Sequence, residues 1–437
     1  MWFASPGTIC FLIVPAQIVI SINVISMKKE EYEAHLLHKD YPKSDPYGSL
    51  SMPVYHTLAY DFATAAEMED AFCGRTAEHT YSRVTNPTVQ HFEERVKEIT
   101  GAYGVTALNS GMAAVSNTFF TLAWSGSNII TSRHLFGNTY SFFVNTLAAF
   151  GVEVRFCDLT NPEEVAAHID GQSCALFAEV ISNPQMEVVD LMALSRVAQG
   201  KGVPLVADTT LIPFSHFTAS DFGVDIEVVS STKYVSGGGT SLGGLIIDHG
   251  RFDWSRSPRL RSVAGDMPSA FHYKLRREIH RNLGAYMTPE VAFQQSLGLE
   301  TLPLRYNRHA STCFALAERL EALPGIEGVN YTGLPDNPFY EVSCRQFGNL
   351  HGAMLTFDLG SREECFRFLD RLRQIRRATN LFDNRSLILH PASTIYGSFT
   401  PEQRKLMDIK ETTLRLSVGL ESVESLLDDI RQALSYL

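Results

Sequence analysis

Two residues of complementary chemistry end neighbouring apolar runs. Lys233 sits in SSTKYVSGGGTSLGG (230–244), directly after IEVV (226–229), and Asp208 closes VPLVAD (203–208). A lysine and an acid at the ends of adjacent buried strands suit pyridoxal phosphate. The lysine forms a Schiff base with the aldehyde, and the acid keeps the pyridine nitrogen protonated so that the ring accepts electrons. An isolated STK would equally describe a lysine that caps a strand with a solvated head; the surrounding residues bear on which reading holds.

Ser110, Gly111 and Met112 open a helical pattern straight after an apolar run. The first N–H groups of a helix bind phosphate, although Ser-Gly there is also an ordinary N-cap. Ser230 and Thr232 place two hydroxyls beside Lys233 and offer further donors to the same anion, or are plain strand residues. The GGGTSLGG stretch is no P-loop, because the lysine precedes the glycines. Tyr81 and Arg83 lie in EHTYSRVTNPT (78–88). A guanidinium suits a phosphate dianion, and a solvated loop arginine is the alternative. Phe136, in RHLFGNTY (133–140), could lie over a planar ring or fill a helix core. Asn183-Pro184 ends another apolar run, where it could touch a ring hydroxyl or make a turn. Arg415 interrupts the apolar pattern of LRLSVGLES (414–422). A charge inside such a strand needs a partner, either an internal carboxylate or the carboxylate of a substrate.

These residues need a scaffold that collects strand ends. Seven short apolar runs supply one: GVTALNS (104–110), NIITSR (128–133), VEVRFCDL (152–159), ALFAEVIS (175–182), VPLVADTT (203–210), IEVVSSTK (226–233) and LGGLIID (242–248). Helical stretches such as 111–123 and 190–200 alternate with them. Continuous apolar runs predict strands buried on both faces, hence a mainly parallel α/β sheet wrapped by helices, with ligands beyond the carboxyl ends of the strands. Ser110, Asp208 and Lys233 all fall at such ends. From about residue 290 the texture changes. The segment 296–325 predicts a long amphipathic helix broken at Pro303, and 353–359, 363–374 and 411–422 predict a small C-terminal α/β domain. The expected division is an arm over 27–75, a large domain over 76–290 and a small domain over 291–437.

The 437 residues allow two domains, and 45% hydrophobic with 19% charged residues is ordinary for a globular chain. A net charge of −11 argues against nucleic acid or an anionic membrane as the main partner, so an anionic ligand must be held by local positive groups. The seven cysteines are scattered, without metal-ligand spacing, which predicts a reduced cytoplasmic protein with no metal. Residues 1–26 carry no charge, and MKKEEYEAHLLHKD follows at once. Without a basic region before the apolar stretch this is no secretory signal, and Pro6 and Pro15 weaken a spanning helix. The reading adopted is an artefactual extension with translation starting at Met27.

Taken together, YSRVTNPT, LNSGMAA, HLFGNTY, ISNPQMEVVD, VADTT, SSTKYVSGGGTSLGG, HPAST and LRLSVGLES resemble the Cys/Met-metabolism family of pyridoxal-phosphate enzymes, over about 45–435. The resemblance implies the fold-type I architecture, with a large mainly parallel seven-stranded sheet domain and a smaller C-terminal α/β domain. It implies that Lys233 is the Schiff-base lysine and proton shuttle and Asp208 the pyridinium partner. Gly111, Met112, Ser230 and Thr232 would form the phosphate cup, Phe136 would take the ring-stacking position and Asn183 would contact the ring hydroxyl. Arg415 would clamp the amino-acid carboxylate. Tyr81 and Arg83 would reach the phosphate of a neighbouring subunit, which implies a dimer sharing its active sites and usually a homotetramer.

Within the family, LGLETLPLRYNRHA (297–310) and TNLFDNRSLILHPAST (379–394) look most like O-acetylhomoserine sulfhydrylases, with Asn380 on the carboxylate side of the substrate. The implied reaction is replacement of acetate at Cγ of O-acetylhomoserine by sulfide or a small thiol, giving homocysteine or methionine. Cystathionine γ-synthase or methionine γ-lyase-type elimination is the alternative, and a non-catalytic nucleotide-binding α/β protein is a reading of another class. Two departures stand out: Phe136 replaces the family's ring-stacking tyrosine, and Phe382 replaces a glycine of the substrate loop. Phenylalanine can stack but cannot donate a proton. Acetate, with a conjugate-acid pKa of roughly 4, departs unaided more readily than a thiolate, at roughly 8.5. The missing hydroxyl therefore favours an acylated homoserine.

Overall fold

The computed structural model describes residues 32, 36, 37, 47–265 and 269–437. The expectation for residues 1–26 lies outside the described residues, as does most of the arm before residue 47.

The large sheet has seven strands: β1 (Gly104–Leu108), β2 (Asn128–Thr131), β3 (Glu153–Phe156), β4 (Ser173–Glu179), β5 (Leu205–Asp208), β6 (Ile226–Val229) and β7 (Gly244–Asp248), in the order β1-β7-β6-β5-β4-β2-β3. Neighbours from β6 to β3 pair in parallel, whereas β7 runs antiparallel to both β1 and β6. The continuous apolar runs have a direct cause. Val105, Leu176, Leu205 and Ile247 belong to one hydrophobic core, while Leu108, Phe177, Val206 and Ile246 belong to another. Successive residues alternate between the faces of the sheet, and both faces are covered. Strands β1, β5 and β6 share one direction, so Leu108, Asp208 and Val229 end at the same edge.

A second sheet of five strands follows: β8 (Gly328–Asn330), β9 (Met354–Asp358), β10 (Arg376–Arg377), β11 (Leu387–Leu389) and β12 (Thr413–Ser417), ordered β10-β11-β12-β9-β8. Arg415 lies mid-strand in β12, opposite Leu389 and Thr356.

Three local details differ from the expectations. The helical segment after residue 290 is two helices, Pro289–Glu300 and Leu302–Leu320, parted at Thr301. Pro303 lies in the first turn of the second helix, where a missing N–H breaks no intrahelical bond. The strand before Lys233 stops at Val229, and residues 230–233 form a turn closed by the Lys233 N–H on the Ser230 carbonyl at 3.1 Å. One strand of the large sheet, β7, is reversed, because the glycine-rich stretch after Lys233 folds straight back beside β6 without a helical crossover.

Candidate active site

A cavity of about 280 Å³ opens at the shared strand edge, between the large sheet and the loop around Asn380. Gly111, Met112, Phe136, Asn183, Asp208, Ser230, Thr232, Lys233, Asn380 and Arg415 all line it. Ten residues dispersed over more than 300 positions of sequence thus converge on one space.

One end is built for an anion. Ser110 caps the helix Gly111–Leu122, its Oγ accepting the Ala113 N–H at 3.1 Å. Gly111 and Met112 belong to the first turn, whose N–H groups have no intrahelical acceptors. A Cβ on Gly111 would fall 2.6 Å from Ser230 Cβ, so only glycine lets the helix mouth close on the turn after β6. The Ser230 N–H donates to Thr210 Oγ1 at 2.8 Å. Thr232 Oγ1 donates to the Gly243 carbonyl at 3.1 Å and accepts the Gly243 N–H at 3.0 Å. Its one proton is therefore engaged with the glycine-rich turn, and to donate into the cavity it would have to release Gly243.

Lys233 sits between that end and the loop around Asn380. Its Nζ donates to Asn380 Oδ1 at 2.7 Å. Burial, reinforced by the Arg415 charge and opposed by Asp208, lowers its pKa from 10.5 to about 8. An amine that loses its proton this readily can act as nucleophile and base near neutral pH. Burial pushes the Asp208 carboxyl up, against the Thr210 side chain and N–H, the latter donating to Oδ1 at 2.9 Å. Beside it, opposite Asp208 in the β4–β5 register, Glu179 is buried too. Burial and then Asp208 hold the Glu179 carboxyl well above its usual range, while N–H groups of Phe136 (2.7 Å) and Asn183 oppose the shift. Glu179 therefore ties down the backbones of two cavity residues at once.

Arg415 is 2% exposed. Its Nη1 donates to Asn183 Oδ1 at 3.3 Å and its Nη2 to the Asn380 carbonyl at 3.1 Å, while its buried Nε has no hydrogen-bond partner. Among the described residues no carboxylate pairs with it. Burial lowers its pKa to about 10. A fork of donors held by two neutral acceptors and lacking a counter-ion is suited to an incoming carboxylate.

Tyr81 and Arg83 are not brought into the cavity. Tyr81 is 40% exposed, the Arg83 guanidinium lies 5.4 Å from its ring centroid, and Arg83 Nη1 donates to the Arg281 carbonyl at 2.6 Å. Conversely, Glu179, Thr210, Leu242 and Ile395 line the cavity without having been singled out. Glu179 had a signal: an acid inside the apolar run ALFAEVIS, the same anomaly that marks Arg415.

The donor set fits pyridoxal phosphate. A helix mouth and Ser230 face the phosphate end, Lys233 is within reach of an aldehyde, Asp208 suits the ring nitrogen and Phe136 offers a flat wall. Two sheets of this topology around such a lysine define a fold-type I pyridoxal-phosphate enzyme. Residues 33–435 match the family described as Cys/Met metabolism PLP-dependent enzyme, and the chain belongs to that family. It is 35% identical over 421 residues to O-acetyl-L-homoserine sulfhydrylase 1 of Thermus thermophilus, covering 92% of this chain and 100% of that one. A putative O-acetylhomoserine (thiol)-lyase of Campylobacter jejuni, solved with a pyridoxyl-lysine monophosphate, superposes with a TM-score of 0.88 at 31% identity, covering 92% and 99% of the two chains. The O-acetylhomoserine sulfhydrylase of Wolinella succinogenes, described in terms of sulfur transfer in methionine biosynthesis, is 47% identical with a TM-score of 0.72, covering 80% and 98%.

Proposed function

We propose that this chain transfers the aminocarboxypropyl group of O-acetyl-L-homoserine from acetate to sulfide or a small thiol, releasing acetate and forming homocysteine or methionine. The observation that carries this reading is the placement of an unpaired, buried Arg415 in the same cavity as Lys233 and Asp208. An α-amino acid brings one carboxylate, and the cavity offers one guanidinium without a counter-ion.

Arg415 and Asn380 hold the amino-acid carboxylate and so orient Cα toward Lys233. Bound pyridoxal phosphate supplies an electron sink for negative charge at Cα. Asp208 keeps the ring nitrogen protonated from its buried position. Lys233 Nζ removes the Cα proton, relays protons at the neighbouring carbons and returns one at the end; its lowered pKa suits both directions. Phe136 contributes a flat, non-donating wall, which acetate tolerates as a leaving group.

The division into an arm (27–75), a cofactor-binding unit (76–290) and a C-terminal unit (291–437) belongs to this reading. So does assembly as a homotetramer with active sites shared across a dimer, in which Tyr81 and Arg83 serve the phosphate of the adjacent subunit; the exposure of Tyr81 and the position of both residues outside the lining of their own cavity support it. A cytoplasmic location is supported by the free state of all six cysteines among the described residues. Among those residues no helix is long and apolar enough to cross a membrane.

The test is product analysis of the purified protein with O-acetylhomoserine and, in turn, sulfide, methanethiol, cysteine or no nucleophile. Homocysteine and methionine are expected. Cystathionine from cysteine, or 2-oxobutyrate without a nucleophile as the main product, would replace this reading by one of its relatives. Borohydride trapping should add the mass of a pyridoxyl phosphate group to Lys233.

A further inference from the structure

Phe382 adopts φ +58° and is 0% exposed. A bulky residue in the left-handed region is strained and persists only where its surroundings over-determine it. A glycine would take this conformation freely, so the ring must contribute something that outweighs the strain.

Its contacts show what that is. The Phe382 ring lies flat on Tyr234, with centroids 3.8 Å apart and planes 9° from parallel. Tyr234 directly follows Lys233. From another side the Tyr306 ring meets Tyr234 edge-on at 5.2 Å and 89°, and Arg305 Nη1 donates to the Tyr234 carbonyl at 2.7 Å. The backbone after Lys233 is thus anchored to the helix Leu302–Leu320. On its own loop, Phe382 follows Asn380 by two residues, and its N–H donates to Ser417 Oγ at 2.7 Å, two residues beyond Arg415. Asn380 in turn receives Lys233 Nζ through its side chain and Arg415 Nη2 through its carbonyl. The stacked pair closes a ring of contacts through Lys233, Tyr234, Phe382 and Asn380, with Arg415 braced at the side.

We propose that Phe382 is a positioning residue for amino-acid recognition: its stack on Tyr234 fixes Asn380 relative to Lys233 and Arg415, so that the carboxylate clamp is already assembled when the substrate arrives. The inference rests on the γ-replacement reading for the identity of the natural ligand, but not for the geometry. A ring that only fills core space would give stability and nothing more.

The test compares F382L, F382G and F382Y in the full-length, cofactor-loaded protein, with L-norleucine as the probe. Norleucine has the chain of the substrate but no leaving group, so its binding is read from the cofactor absorbance without turnover. F382L keeps an apolar side chain and the strained φ but loses the flat ring; F382Y keeps the ring. The dissociation constant is expected to rise about tenfold in F382L and further in F382G, with F382Y near wild type, and KM for O-acetylhomoserine should rise more than kcat falls. In cofactor-free protein, amide exchange of residues 379–384 should quicken in F382L while the midpoint of thermal unfolding moves little. An unchanged norleucine constant in F382L, whatever its thermal stability, would overturn the proposal. Wild-type protein that binds norleucine but does not perform γ-replacement would refute the proposed reaction and leave this inference standing.

Discussion

Lys233 Nζ donates to Asn380 Oδ1 across 2.7 Å, joining the end of the large sheet to the loop before β11. The neutral amide satisfies the amine without adding a counter-charge, and burial with the Arg415 charge brings the lysine to about 8. The folded state therefore releases this proton more readily than the unfolded chain does. Cofactor-free protein should gain stability as pH rises from about 8 toward the ordinary lysine value of 10.5, and should lack that gain below 8. Its rate of pyridoxal phosphate uptake should climb through the same lower limit. Asn380→Asp places a carboxylate beside the ammonium and should move the uptake midpoint to higher pH. Stopped-flow absorbance across pH 6–10, a range chosen as roughly centred on that pKa, would check both; a midpoint unmoved by the substitution would count against the contact.

Lys233→Ala removes the only amine among the described residues that line the cavity. Turnover should fall by about 10³-fold or more. The helix mouth at Gly111 and the Ser230 turn remain, so the variant should still bind the coenzyme without a covalent link. Denaturing mass spectrometry after borohydride treatment should find no adduct, and equilibrium dialysis should find residual binding.

Arg415→Met separates recognition from stability. The guanidinium is buried among neutral acceptors, so replacing it by an apolar chain of similar length should leave the midpoint of thermal unfolding unchanged or raise it. The substrate carboxylate loses its charged partner, worth about 1.5–3 kcal/mol, and KM should rise roughly ten- to a hundredfold. A large loss of stability would mean that the arginine serves the fold.

Phe136 lines the cofactor cavity and also a neighbouring open cleft shared with Ile388, His390 and Ile395. Phe136→Tyr places a hydroxyl on that wall. Cleavage of a thioether such as cystathionine should improve more than acetate loss from O-acetylhomoserine, because the poorer leaving group gains more from a proton donor. Equal effects on the two substrates would remove leaving-group protonation as the reason for the phenylalanine.

Much of the scaffold was legible because its cause is local. The runs that became β1, β4 and β5 read as doubly buried because each of their faces meets a core. The helix Leu191–Lys201 came with its own ends written in, Asp190 capping and Gly202 in the left-handed region. Lys233, Asp208 and Arg415 were legible as charges beside or inside apolar runs. Glu179 was passed over inside such a run, although its carboxyl holds the Phe136 N–H. The reversal of β7 could not be read from its own residues, since GLIID pairs equally well in either direction; only the absence of a helical crossover after Lys233 distinguishes them. The engagement of Thr232 with Gly243 depends on how the intervening turn closes, which no spacing reveals.

That reversal fixes the number of residues after Lys233. Gly244 stands opposite Leu108, and a Cβ there would come within 2.0 Å of the Ser110 carbonyl; Leu245 is registered against Val229. One inserted residue carried into the strand would rotate every side chain of β7 to the wrong face and bring Leu242 to the place of Gly243, where a Cβ would lie 2.4 Å from both Ser231 Oγ and Gln295 Nε2. The hairpin is thus a spacer of set length, and tags or engineered insertions are better borne elsewhere on the surface than in this short segment.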